Sequence, residues 1–256
     1  MTTLQTDQTV TLPIGIDIGG ALIKEITIDE WRFEDSRRLA SKKNRGSGAQ
    51  AQRDVLARII QSAGDYTKTD VLAQCPERIV NEMYMADAAV IMATALLLAG
   101  QDAQEIEHKC DKCNGENEIT LKLSDLEVIP AKVAGQNFVE FELPKGIMVE
   151  GLHDKGIGKT GKYGFPTLRH AKLSEKATAK GEMDQLLVML RHTVYGFEYS
   201  DTLSDRDIRM LPLNDQKYLI NLLTNEMPGL ETRVPYDCSL CGAAQEINYD
   251  ITKLFV

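Results

Sequence analysis

The feature that most constrains this chain is a pair of Cys-x-x-Cys motifs, Cys110/Cys113 and Cys238/Cys241, set 128 residues apart in a sequence that repeats itself at the same spacing. The segment KCDKCNGENEITLKLSDLE lies over DCSLCGAAQEINYDITKLF without a gap, pairing Glu118 with Glu246, Ile119 with Ile247 and Leu126 with Leu254. Extended backwards, the same offset sets Asp87 against Asp215, Val90 against Tyr218, Ile91 against Leu219, Met92 against Ile220 and Arg78 against Arg206, a match of about fifty residues per copy. Further upstream the register drifts, but Leu12-Pro13-Ile14-Gly15 finds a counterpart in Leu143-Pro144-Lys145-Gly146. The expected architecture is α+β, a tandem duplication with pseudo-twofold symmetry, with one repeat over 1–128 and the other over 129–256.

Each copy reads in one order: an extended segment at Leu-Pro-x-Gly, a polar loop, a helix, a second helix, then Cys-x-x-Cys with a strand on either side. Gln52 to Ala63 and Glu182 to Tyr195 are expected as helices, each ending at a glycine, Gly64 or Gly196. The second helix of the first copy carries Ile79, Val80, Met83 and Tyr84, then Val90, Ile91, Ala95 and Leu98, the spacing of a buried face. Its counterpart carries Ile208, Leu211, Tyr218, Leu219, Leu222 and Leu223. After the cysteines a period of two takes over, at Ile119, Leu121 and Leu123 and again at Ile247, Tyr249 and Ile251, which predicts strands with one covered face.

Two cysteines two residues apart on a tight turn aim both sulfurs at one point, half of a tetrahedral Zn2+ site. Packing the copies about a twofold axis supplies the other half, so Cys110, Cys113, Cys238 and Cys241 are the expected metal ligands. The 124 residues between the pairs make such a metal a clasp between the halves rather than the nucleus of a small finger. Four thiolates leave no open coordination position, so the expected role is structural, in the manner of a zinc ribbon. His108 is a weaker candidate ligand, because its counterpart is Tyr236; Cys75, before Pro76 at an expected helix start, takes no chemical role. Two reduced pairs, or one pair working in redox, form the plainer alternative.

Composition excludes several classes. Net charge is −9, and residues 1–128 carry 14 basic and 21 acidic side chains against 15 and 17 in 129–256, so neither half suits a phosphate backbone. The cysteine-bearing strands carry Asp111, Glu116, Glu118, Asp237 and Glu246 where a zinc-ribbon nucleic-acid binder would carry basic and aromatic residues. The longest apolar run, Ala88 to Ala99, suits a buried helix and is too short for a membrane span. The amino terminus lacks the pattern of a secretory signal, so cytoplasmic synthesis is expected. The four histidines, at 108, 153, 170 and 192, show no cluster, and no catalytic triad or carboxylate pair stands out.

Two strings invite a nucleotide reading. Ile14-Gly15-Ile16-Asp17-Ile18-Gly19-Gly20 resembles the first phosphate-binding hairpin of the actin-like sugar and pantothenate kinases, but the further loops of that fold are missing, and a strand, a glycine turn and a returning strand over Leu22–Ile28 explain it as well. Gly156-Ile157-Gly158-Lys159-Thr160 looks like the end of a Walker A loop, yet its first glycine would fall on His153. Residues 151–181 and the basic stretch Arg37 to Gly48, with Lys42, Lys43 and Arg45, are therefore expected as solvated surface loops, possible docking arms for an acidic protein.

The assembled arrangement resembles the T4-type phage baseplate proteins of the hub-assembly class, which have relatives in phage-like contractile injection systems. The resemblance rests on Leu12-Pro13-Ile14-Gly15 with Lys24-Glu25, on Pro76-Glu77-Arg78-Ile79-Val80 leading to Asp87, on Cys110-x-x-Cys113 with Leu123-Ser124-Asp125-Leu126, and on Asp215, Cys238-x-x-Cys241-Gly242 and Ile251-Thr252-x-Leu254-Phe255. It implies a non-enzymatic component of a contractile-tail baseplate that works with other hub proteins, is assembled in the host cytoplasm, and takes no small-molecule substrate, nucleic acid or membrane.

Overall fold

The computed structural model describes residues 2–4, 8–18, 20–40, 48–64, 66–67, 75–150, 155–178 and 182–248. The first half begins with β1 (Thr2–Thr3) and a hairpin of β2 (Thr9–Ile18) and β3 (Ala21–Ile28). Helices α1 (Phe33–Ala40) and α2 (Gly48–Ile59) follow, then β4 (Ile60–Ala63), β5 (Tyr66–Thr67), α3 (Cys75–Glu82) and α4 (Met85–Leu98). The ribbon β6 (Ala103–Lys109) and β7 (Glu116–Lys122) and a short β8 (Glu127–Ile129) close it.

The second half runs through β9 (Phe138–Glu150), β10 (Lys155–Gly164), α5 (Leu168–Thr178), α6 (Glu182–Thr193), β11 (Val194–Phe197), β12 (Ser200–Thr202), α7 (Asp205–Met210) and α8 (Leu213–Glu226). It ends in β13 (Gly229–Leu230) and a second ribbon, β14 (Arg233–Asp237) and β15 (Ala244–Asn248). The fold is mixed α+β, and each half holds an antiparallel sheet of four strands in chain order, β2-β3-β4-β5 and β9-β10-β11-β12. No helix among the described residues is long and apolar enough to cross a membrane.

The Leu-Pro-x-Gly segments sit where each first hairpin breaks register, between Thr11 and Ile16 and opposite the shift between Gly158 and Thr160. Proline has no N–H for the ladder, and the glycine after it takes positive φ, 91° at Gly15 and 75° at Gly146, so a bulge forms here. A side chain is sterically barred as well, since a Cβ on Gly146 would lie 2.5 Å from the Gly158 carbonyl oxygen. The freed N–H groups turn to a buried carboxylate. Asp87, in the first turn of α4, accepts from Ile14 N at 2.8 Å and Gly15 N at 3.0 Å, while Asp215, in the first turn of α8, accepts from Lys145 N at 3.0 Å and Gly146 N at 2.8 Å. Both aspartates are 0% exposed.

Helix α4 buries eleven of its fourteen residues, as a helix apolar on every side must. It forms the centre of one hydrophobic cluster with β2, β3 and α2; a second cluster gathers β9, β10, Phe197, Ile208 and Leu219. The clusters exchange members, with Leu168 packing in the first and Ile14 and Ala86 in the second. Backbone bonds follow the same route, Met85 N to Pro166 O and Leu168 N to Met83 O, both 2.9 Å.

Several sequence expectations change here. Residues 155–164 of the expected 151–181 loop form β10, and 168–178 form a helix; the basic stretch begins inside α1, and Lys42, Lys43, Arg45 and His153 lie outside the described residues. The glycines misled because they make room for rings: a Cβ on Gly158 would lie 2.6 Å from the Phe197 ring, and one on Gly161 2.8 Å from that of Phe141. The expected helices ending at Gly64 and Gly196 stop at Ile59 and Thr193, and the last residues before each glycine turn are strands. The single second helix expected in each half is two. Tyr84 takes extended φ and ψ (−67°, 144°) and bridges Thr167, and Pro212 (−56°, 146°) separates α7 from α8.

Replacing Asp215 with Ala leaves two N–H groups without their acceptor and should cost about 2–4 kcal/mol in denaturant unfolding. For Asp87, burial outweighs the bonds from Ile14 and Gly15 and the Lys24 ammonium, and pushes the carboxyl up from 3.8 to about 6. A folded-state pKa raised above the unfolded one favours folding at low pH, so this contribution is complete below about pH 4 and lost as pH rises through about 6. The stability advantage of the native chain over Asp87→Ala should therefore shrink across that window by about 3 kcal/mol, at 1.36 kcal/mol per unit.

Candidate metal centre

Each ribbon turns on its cysteines in the same way. In the first, Cys110 N donates to Gly115 O at 2.9 Å and Asn114 N to Cys110 O at 2.8 Å. In the second, Cys238 N donates to Ala243 O and Gly242 N to Cys238 O, both at 2.9 Å. Closing so tight a turn requires a left-handed residue, Asn114 at φ 61° and Gly242 at φ 66°. The strand pairs that carry the turns share a register: His108 faces Asn117 in one ribbon as Tyr236 faces Gln245 in the other.

The two turns meet. Cys110 Sγ lies 3.8 Å from Cys241 Sγ and Cys113 Sγ 3.7 Å from Cys238 Sγ, and all four sulfurs lie within 4.8 Å of one another. A disulfide would need about 2.05 Å. A tetrahedron of sulfurs each about 2.3 Å from a central ion has edges of about 3.8 Å, so the cluster has the dimensions of a tetrathiolate metal site. Cys110 and Cys238 are buried, at 1% and 2% exposure, while Cys113 and Cys241 face outward.

The electrostatics fit a site built for a cation. The Gly115 N–H lowers the Cys113 thiol, but the sulfur of Cys241, burial, and the sulfurs of Cys238 and Cys110 together push it up to about 12. Cys238 moves the other way, down to about 6, because the N–H groups of Cys241 and Leu240 point at its sulfur. Crowded sulfurs cannot all ionise unless a positive charge joins them, so metal binding here would release protons.

His108 does not enter the cluster. Its Nδ1 lies 2.8 Å from the Tyr236 hydroxyl, its own counterpart at a separation of 128, and the two rings meet edge to face. Two other histidines, which sequence spacing left unconnected, stack across α5 and α6: His170 and His192 lie 6.1 Å apart at 14°. Burial, then the neighbouring His192 and Arg169, lowers the His170 pKa. Asn117 and Ser239 at the cluster also escaped sequence reasoning; for Asn117 the signal is the alternation that makes it face inward with Ile119 and Leu121.

The nucleotide-like strings occupy hairpins. The N–H of Gly15 is taken by the Asp87 carboxylate, and Asp17 Oδ1 accepts from Gly20 N at 2.8 Å. The Walker-like string lies inside β10, where Lys159 N and Thr160 N donate to the Glu198 carboxylate at 2.7 and 3.3 Å. A carboxylate thus accepts from the N–H groups of Gly15 and Gly20 in the first string and of Lys159 and Thr160 in the second.

The two left-handed positions give a clean test of the turn. A Cβ on Gly242 meets nothing within 4 Å, so Gly242→Ala should cost about 1 kcal/mol of thermal stability from backbone strain alone. Gly242→Asn, which copies Asn114, should recover most of that loss. Protein-family models, curated proteins and solved structures were all compared with the chain, and none matches.

Proposed function

We propose that this chain is a tandem duplication, 1–128 and 129–256, whose pseudo-twofold axis passes through a structural Zn2+ site, and that it is a non-catalytic part of a contractile-tail baseplate hub or a related injection system. The observation that carries the scaffold reading is a set of reciprocal contacts: His108 with its own counterpart Tyr236, and Cys110 with Cys241 as Cys238 with Cys113, at 3.8 and 3.7 Å. Such reciprocal contacts are what a twofold relation between two copies produces. The matching captures by Asp87 and Asp215 add an independent pair.

Zinc is favoured by four thiolates in a closed tetrahedron on two rigid turns, which leave no position for water or substrate. A clasp of this kind makes a rigid body, the property an assembly component needs. Apolar side chains exposed on the second half, Met148, Ile157, Met210 and Leu213, provide contact surface for other hub proteins, the partners that the sequence resemblance implies. The ribbon surface opposes nucleic acid, since Glu107 lies directly across from Glu118 and both are exposed.

Purified chain should hold one zinc, measured by elemental analysis, and Cys110→Ala and Cys238→Ala should each abolish it and lower the melting temperature. Two separable metals, or a metal kept by either variant, would break the shared site. Co-expressed with candidate baseplate hub proteins, the chain should co-purify with one of them, and Leu213→Asp with Met210→Asp should release it. ATP binding that is lost in Asp17→Ala would instead establish the kinase alternative.

A further inference from the structure

Among the described residues of the ribbons Asn117 is the most deeply buried amide, 5% exposed between Glu116 and Glu118, which both point to solvent. A primary amide has two acceptor lone pairs and two N–H donors, and all four are used. Oδ1 accepts from Ser239 N at 2.8 Å and from Ser239 Oγ at 3.0 Å; Nδ2 donates to Gly115 O at 3.0 Å and lies 3.6 Å from Cys238 Sγ. The orientation of the amide is fixed, because a backbone N–H can only donate: the oxygen must face Ser239, and the nitrogen therefore faces the sulfur.

These four bonds join groups from both halves. Gly115 follows Cys113 by two positions in the first turn, and Ser239 follows Cys238 in the second, so one side chain spans the seam beside the sulfurs. The corresponding residue on the other ribbon, Gln245, makes only part of this pattern. Its Oε1 accepts from Asp111 N at 3.3 Å, the match of the Ser239 bond, but its Nε2 donates to the neighbouring Ala244 O at 3.0 Å. The two amides therefore share a brace across the seam, and of the two only Asn117 adds a side-chain donor to a cluster sulfur.

We infer that Asn117 is the positioning residue of the metal centre: it holds the second turn against the first through Ser239 and donates an N–H to the Cys238 thiolate, tuning that ligand. The inference rests on the metal reading above. A buried donor beside a thiolate draws charge from the sulfur and fixes its direction, and outer-shell partners of this kind are worth about 10–100-fold in metal affinity.

The test uses the full chain, titrated with Co2+ and with Zn2+ against a competing chelator, for the native sequence, Asn117→Ala, Asn117→Asp and Gln245→Ala. Asn117→Asp keeps the shape and the acceptor for Ser239 but removes the donor and adds a negative charge next to sulfur. Expected is a loss of about 10–100-fold in affinity for Asn117→Ala, a loss at least as large for Asn117→Asp, and a change of only a few fold for Gln245→Ala. The thiolate-to-cobalt charge-transfer band should also move in both Asn117 variants, which a purely structural brace would not cause. If Asn117→Asp binds as tightly as the native chain with an unmoved band, Asn117 is a strut only and the inference is overturned. A native chain that takes up neither ion overturns the metal reading, and the inference with it.

Discussion

A buried aspartate at the start of a helix, receiving two N–H groups from a proline-glycine bulge, organises both halves of this molecule. The bulge leaves backbone donors that the sheet does not satisfy, and a carboxylate with two oxygens matches them in number and charge. The helix N-terminus adds a favourable dipole. Asp87 ties the β2–β3 hairpin to α4, and Asp215 ties β9–β10 to α8. With the hairpin fixed on the helix, the short chain that leaves the helix carries each cysteine ribbon to a set position.

The halves then treat corresponding helices differently. Ile91 and Leu219, on the inward face, are both 0% exposed, whereas Met92 is 2% exposed and its counterpart Ile220 is 40% exposed. Helix α4 is enclosed by β2, α2 and α5 and by β13 of the small sheet β1-β8-β13, with Gly229 set close against Ala86. Helix α8 rests on β9 and leaves Leu213 and Ile220 open. The two halves thus share an inward helix face used for folding, while the second carries apolar surface outward.

The ribbons depend on long-range closure. Each is two strands wide, too small to be stable alone in water, and each covers its inner face only partly. Bringing the sulfurs to edges of 3.7 and 3.8 Å, with the His108–Tyr236 and Asn117–Ser239 contacts beside them, gives the pair the shared interior that neither has alone. The negative surface around them, with Glu107 opposite Glu118, adds repulsion that the interior contacts must offset.

Local chemistry, read along the chain, was enough to find the four cysteines that cluster, the alternation that puts Ile119 and Leu121 inward, the apolar run of α4, and the Asp87/Asp215 correspondence, because each depends on residue type and position along the chain. It did not reveal what Asp87 and Asp215 hold, since the bulges lie some seventy residues away. Gly156 to Gly164 read as a loop because glycine signals flexibility, yet there it makes space for Phe141 and Phe197 across the sheet. The breaks at Tyr84 and Pro212, the stacking of His170 on His192, and the partners of Asn117 were likewise settled by neighbours distant in sequence. Residue type and period determined the α+β character and which four cysteines can share one site; tertiary packing alone decided which buried donors meet which acceptors, because satisfying a buried polar group is a condition on space, not on sequence distance.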